Sequence, residues 1–76
     1  MRVALSFIDE DAANKYQEML EAREFMVEDS SSPTTLWATV TKVYCVTSNF
    51  IELINERNHN CDIDRTLLSY FEVHEK

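Results

Sequence analysis

Apolar and polar residues alternate from the first positions of the chain. In MRVALSFI, Val3, Leu5 and Phe7 fall on one side and Arg2, Ala4 and Ser6 on the other, the period of a half-buried strand. The period then lengthens. In DEDAANKYQEMLEARE, Ala12, Tyr16, Met19, Leu20 and the stem of Arg23 recur at helical spacing. Acids open this segment, where they suit the positive end of a helix dipole, and Asp9 or Asp11 is placed to cap it. FMVED, Phe25 to Asp29, reads as a short strand, and Ser30 to Pro33 as the turn of a hairpin.

The run TTLWATVTKVYCVTSNFIELI, Thr34 to Ile54, is too short and too polar for a membrane span. Thr34 to Thr41 has the β-branched and aromatic composition of a strand. Near Val46 the period changes. Phe50, Ile51 and Ile54 share one helical face, Thr47 or Ser48 is placed as the cap, and Arg57 suits the negative end, so Asn49 to Asn58 is predicted as a second helix with KVYCV as the joint. NHNCDID then reads as a polar loop and RTLLSYFEVHE as a final strand, with Leu67, Ser69, Phe71 and Val73 on one side and Leu68, Tyr70, Glu72 and His74 on the other. The predicted order is β-α-β-β-α-β over residues 1–76, a single ferredoxin-like domain of the α+β class. Its antiparallel sheet carries two helices on one face, and the first strand lies between the third and the last.

That arrangement leaves one sheet face open. Small Ala4 and Ser6 make room there for Trp37 and Tyr70, with Leu68 and Thr39 beside them, and an exposed aromatic group of this kind marks an interaction surface. The alternative is a local aromatic cluster covered by the C-terminal tail. Aromatics on a sheet face also stack bases in RNA-recognition domains, but the glycine-containing signature of those domains has no counterpart in a chain without glycine.

Composition sharpens this picture. At 76 residues the chain buries little surface, so a partner subunit is expected to contribute to its stability, and a homodimer or a tight hetero-complex is predicted on the face with Trp37 and Tyr70. The formal net charge of −7 argues against tight direct binding of DNA or RNA; it serves solubility alone, or it presents an acidic surface to a protein partner such as a basic nucleic-acid-binding protein, whose usual ligand it would imitate. Two cysteines are too few for a disulfide framework, and no stretch resembles a signal peptide, so a cytoplasmic setting is expected.

Candidate chemistry is sparse. Asp9, Glu10 and Asp11 carry carboxylates suited to a hard cation such as Mg²⁺, although a helix cap explains them without a ligand. His59, Cys61, Asp62 and Asp64 lie close in sequence, but their spacing is no zinc signature, and a polar loop explains them. Cys45 reads as a small buried residue, and His74 as solvated. The lack of glycine excludes a phosphate loop and a dinucleotide fingerprint. No metal, cofactor or catalytic residue is therefore assigned from the residues alone.

Four stretches, VALSFIDEDAANKYQEML, SSSPTTLWATV, TSNFIELI and DIDRTLLSYFEV, together resemble the small ferredoxin-fold proteins related to the small subunit of the CRISPR integration complex. They are similar also to the antitoxin endoribonucleases of that fold. The resemblance implies an acid at the end of the first strand, near a dimer axis, sharing a divalent metal. The matching position is Asp9, with Asp11 behind it, although Ile8 rather than an acid follows Phe7. Two functions are thus expected, beside a third reading as a structural homodimer with no catalytic role. The leading one is a small acidic regulatory or inhibitory protein of antitoxin or phage counter-defence type, acting by occupying a partner. The alternative is an Mg²⁺-dependent endoribonuclease using Asp9 and Asp11.

Overall fold

A computed structural model describes residues 1–45 and 49–75. The order is β1 (Arg2–Phe7), α1 (Glu10–Ala22), β2 (Met26–Asp29), β3 (Thr35–Thr39), β4 (Lys42–Cys45), β5 (Phe50–Ile54), β6 (Asn60–Asp64), one 3-10 turn at Arg65–Leu67, and β7 (Leu68–His74). The strands form a four-stranded sheet, β2-β3-β1-β7, and a three-stranded sheet, β4-β5-β6. All pairings are antiparallel.

The expected ferredoxin-like fold with two helices is therefore wrong. β1 does lie between β3 and the last strand, but α1 is the single α-helix among the described residues, and a meander of three strands occupies the stretch assigned to the second. The predicted helix Asn49 to Asn58 is β5 followed by a turn, because Ile51 and Leu53 alternate inward while Phe50, Glu52 and Ile54 face out. The predicted loop NHNCDID holds β6, where Cys61 and Ile63 are buried and Asp62 is exposed. The strand placed at Thr34 to Thr41 ends at Thr39, the KVYCV joint contains β4, and the final strand starts at Leu68. The cap assigned to Thr47 or Ser48 lies outside the described residues.

α1 forms as its sequence dictates. The Asp9 carboxylate accepts the backbone N–H of Ala12 at 2.8 Å, and Glu10 and Asp11 occupy the first turn. The helix buries Ala12, Ala13, Tyr16 and Leu20. It closes with Phe25 N–H bonded to Leu20 O at 2.9 Å and Glu24 N–H to Glu21 O at 3.0 Å. This closure puts Glu24 at φ 65°, a left-handed position usually given to glycine.

One hydrophobic core joins the two sheets and the helix. Val3, Leu5 and Phe7 of β1, Leu36 and Ala38 of β3, Leu20 of α1, and Ile51, Leu53, Cys61 and Ile63 of the meander all belong to it. The Tyr16 ring stacks on Phe7 with centroids 5.3 Å apart, and its hydroxyl accepts the Asp64 N–H at 3.2 Å, so one side chain fastens α1 to both sheets. Asn55, only 4 % exposed, ties the other end of the helix: its Nδ2 donates to Arg23 O at 2.9 Å, while its Oδ1 accepts from Arg57 N at 2.9 Å and His59 N at 3.0 Å. With the core on one side, the opposite face of the four-stranded sheet carries no covering element among the described residues.

Candidate functional site

The strand register builds the open face residue by residue, because residues directly opposite in adjacent strands share a face. One row across the sheet reads Met26, Thr39, Arg2, His74, and the next Glu28, Trp37, Ala4, Glu72. Thr35, Ser6 and Tyr70 form a third. Trp37 sits in the middle of this face.

Its neighbours hold the indole in place. The Arg2 guanidinium lies 4.6 Å from the ring centroid, and His74 meets the ring edge-on at 5.0 Å. Arg2 is itself held by Glu28 at 3.1 Å. His74 in turn is hydrogen-bonded to Glu72, and Tyr70 lies beside that carboxylate. The chain Glu28–Arg2–Trp37–His74–Glu72 thus crosses all four strands. Ala4, though on the solvent side, is only 4 % exposed, because Trp37 and Glu72 flank it. Tyr70 (51 % exposed) and Met26 (70 %) are exposed at the two ends of the face.

The titrations of the exposed groups follow these contacts. Donation from His74, and then from Tyr70, holds the Glu72 carboxyl below the usual carboxylate range. Donation to Glu72 raises the Tyr70 phenol. Away from the face, hydrogen bonds from Thr66 lower Asp64, and burial raises the Cys61 thiol.

The structure brings Trp37, Thr39 and Tyr70 together on one face, as the sequence pattern placed them. It sends Leu68 elsewhere. Ser6 pairs with Tyr70 but Phe7 pairs with Leu68, so Ser69 is an extra residue in β7, a bulge that turns Leu68 toward the core. Arg2, Glu28, Glu72 and His74 were not singled out as site residues. Alternation alone placed Arg2 beside Ala4 and Ser6, but the guanidinium–indole contact needs the register between β1 and β3, which one sequence does not show.

The remaining candidates do not converge. Asp9 is engaged as the helix cap and Asp11 is exposed in the first turn, and no group of three or more His, Cys, Asp and Glu among the described residues is arranged to hold a metal ion. His59 and Cys61 are engaged separately: His59 reaches Arg23 O through Nδ1 at 3.1 Å, whereas Cys61 is buried in the core. No helix among the described residues is long and apolar enough to cross a membrane. No family model, no curated protein and no solved structure matches the chain.

Proposed function

We propose that the chain is a small regulatory protein-binding domain that acts by occupying a partner, and that the open face of the four-stranded sheet is its contact surface. The observation that carries this reading is Trp37: a large aromatic side chain at the centre of an uncovered face, held by Arg2 and His74 before any partner arrives. Tryptophan is enriched among the residues that dominate binding energy, and a side chain already ordered loses little rotamer freedom on association. The partner is a protein with a basic contact surface, since the chain as a whole has a net charge of −7 while Glu28 and Glu72 on the face are matched by Arg2 and His74. Inhibition of a nucleic-acid-binding protein, of antitoxin or counter-defence type, is the activity this chemistry suits.

The test compares immobilised wild type, Trp37→Ala, Thr39→Lys and the helix-surface control Glu18→Lys in affinity capture from a lysate, with circular dichroism checking each fold. A basic protein retained by wild type and by Glu18→Lys, but lost with Trp37→Ala and Thr39→Lys, supports the reading. Retention indifferent to both face variants overturns it. Mg²⁺-dependent RNA cleavage that disappears in Asp9→Asn would replace it with the nuclease.

A further inference from the structure

The four-stranded sheet has two edges, and they are unlike. β2 has four residues, two of them acids, and runs into the serine-rich turn. β7 has seven residues, Leu68–His74, without lysine, arginine or proline, the residues that commonly guard an edge. Among the described residues β7 pairs only with β1, and a groove of about 300 Å³ lined by Arg65, Leu68, Ser69, Tyr70 and Phe71 runs beside its first half.

The hydrogen-bond parity shows which groups face outward. Phe7 donates its N–H to Thr34 on the β3 side, whereas Ile8 donates to Leu67 on the β7 side. In β1, therefore, Val3 and Leu5 direct their backbone groups toward β3, and Arg2, Ala4 and Ser6 direct theirs toward β7. Tyr70, Glu72 and His74 receive those bonds, and the N–H and C=O of Phe71 and Val73 point away from the sheet.

We propose that a second copy of this chain pairs with the edge of β7, antiparallel and about a two-fold axis, so that two four-stranded sheets become one. The argument for a second copy is the self-complementarity of the strand. If the open faces stay on the same side, the axis passes through a single residue, because opposite residues must share a face. An axis at Glu72 would set two carboxylates opposite each other about 4.5 Å apart between Cα atoms, which is unfavourable. An axis at Phe71 sets Glu72 opposite Tyr70 of the second copy, and an axis at Val73 sets it opposite His74. Either places a side chain with a hydrogen-bond donor, rather than a second carboxylate, opposite each Glu72. The outward N–H and C=O groups close the ladder. Val73, 39 % exposed at the edge, is covered by the added strand.

The edge is distinct from the face assigned to the partner protein, so the two readings fail separately. Sedimentation velocity on the full chain is expected to show twice the 8.9 kDa of one chain. Val73→Pro removes an outward N–H while leaving the ladder to β1 whole, and is expected to give a folded monomer. Val73→Ala keeps the N–H and stays dimeric. Val73→Lys places a charge at the edge and gives a monomer by a second route, which decides the matter if Val73→Pro fails to fold. Trp37→Ala leaves the dimer intact. A wild type that stays monomeric at its highest attainable concentration overturns the proposal. So does a folded Val73→Pro or Val73→Lys that remains a dimer, or loss of the dimer in Trp37→Ala alone.

Discussion

Asn55 offers the sharpest test of how the two halves of the molecule are joined. Its side chain makes three hydrogen bonds to backbone groups on both sides of the helix–meander junction, at 2.9, 2.9 and 3.0 Å, and it is 4 % exposed. Asn55→Ala removes all three. At a net of about 0.5–1.5 kcal/mol per bond, the loss is about 1.5–4.5 kcal/mol. The exposed positions of Arg23, Arg57 and His59 let water recover part of it, which favours the lower half of that range. A chain of 76 residues has about 4–11 kcal/mol in all, so this one substitution removes a large share of the stability. The midpoint of thermal unfolding should fall by about 10–25 °C.

The assay is urea unfolding followed by Trp37 fluorescence, with the slope checked for constancy between variants. Asn55→Asp separates the two sides of the junction. A carboxylate can still accept from Arg57 and His59, but it turns an oxygen toward the Arg23 carbonyl where a donor stood. Asn55→Asp should therefore also destabilise, chiefly by loosening the helix end. If Asn55→Ala lowers stability by less than about 0.5 kcal/mol, the side chain does not join α1 to the β5–β6 turn in the way described.

Asp9→Asn should leave the urea midpoint nearly unchanged, because asparagine caps almost as well, whereas Asp9→Ala should cost about 1 kcal/mol; equal losses in both would mean that the charge, and not the bond to Ala12, matters. Glu24→Val should destabilise by about 1–2 kcal/mol because a branched residue fits the left-handed backbone at φ 65° poorly, while Glu24→Gly should not, despite losing the exposed pair with Arg57; equal thermal midpoints for the two variants would refute the account. Burial raises the Cys61 thiol, so the folded chain keeps its proton at a pH where the unfolded chain has lost it. This contribution is complete below the ordinary thiol pKa and is lost as pH rises from there toward the raised folded value. The urea midpoint should fall across that alkaline window in wild type and less so in Cys61→Val.

The first half of the chain was legible because each local signal agrees with its neighbours. Val3, Leu5 and Phe7 alternate inward, Asp9 caps α1, Tyr16 and Leu20 face the core, and Ser30 to Pro33 turns the hairpin. The second half was not, for a physical reason. Over five residues, Phe50, Ile51 and Ile54 satisfy a helical period and Ile51 and Leu53 a strand period, so composition cannot decide between them. The usual punctuation is also missing. With no glycine in the chain, Asn58 takes the left-handed position of the β5–β6 turn at φ 63°, and the β3–β4 connection, Val40 and Thr41, has no proline. Asn55, Glu56 and Arg57 are common at helix ends, and the buried Asn55 bonds that specify a turn instead appear only in three dimensions.

The Ser69 bulge shows how one residue sets what the candidate surfaces present. Strict alternation through RTLLSYFEVHE sends Leu68 outward with Tyr70, Glu72 and His74. The extra residue breaks that parity once, so that Leu68 and Phe71 both pack on the core while Tyr70, Glu72 and His74 keep the open side. Without it, either Leu68 would stand exposed beside Tyr70 or the strand beyond Ser69 would invert. Inversion would bury Glu72 and His74 and turn Phe71 to solvent, which the cost of burying unpaired charge forbids. The bulge thus lets β7 fill the core opposite Phe7 and still hold His74 against Trp37.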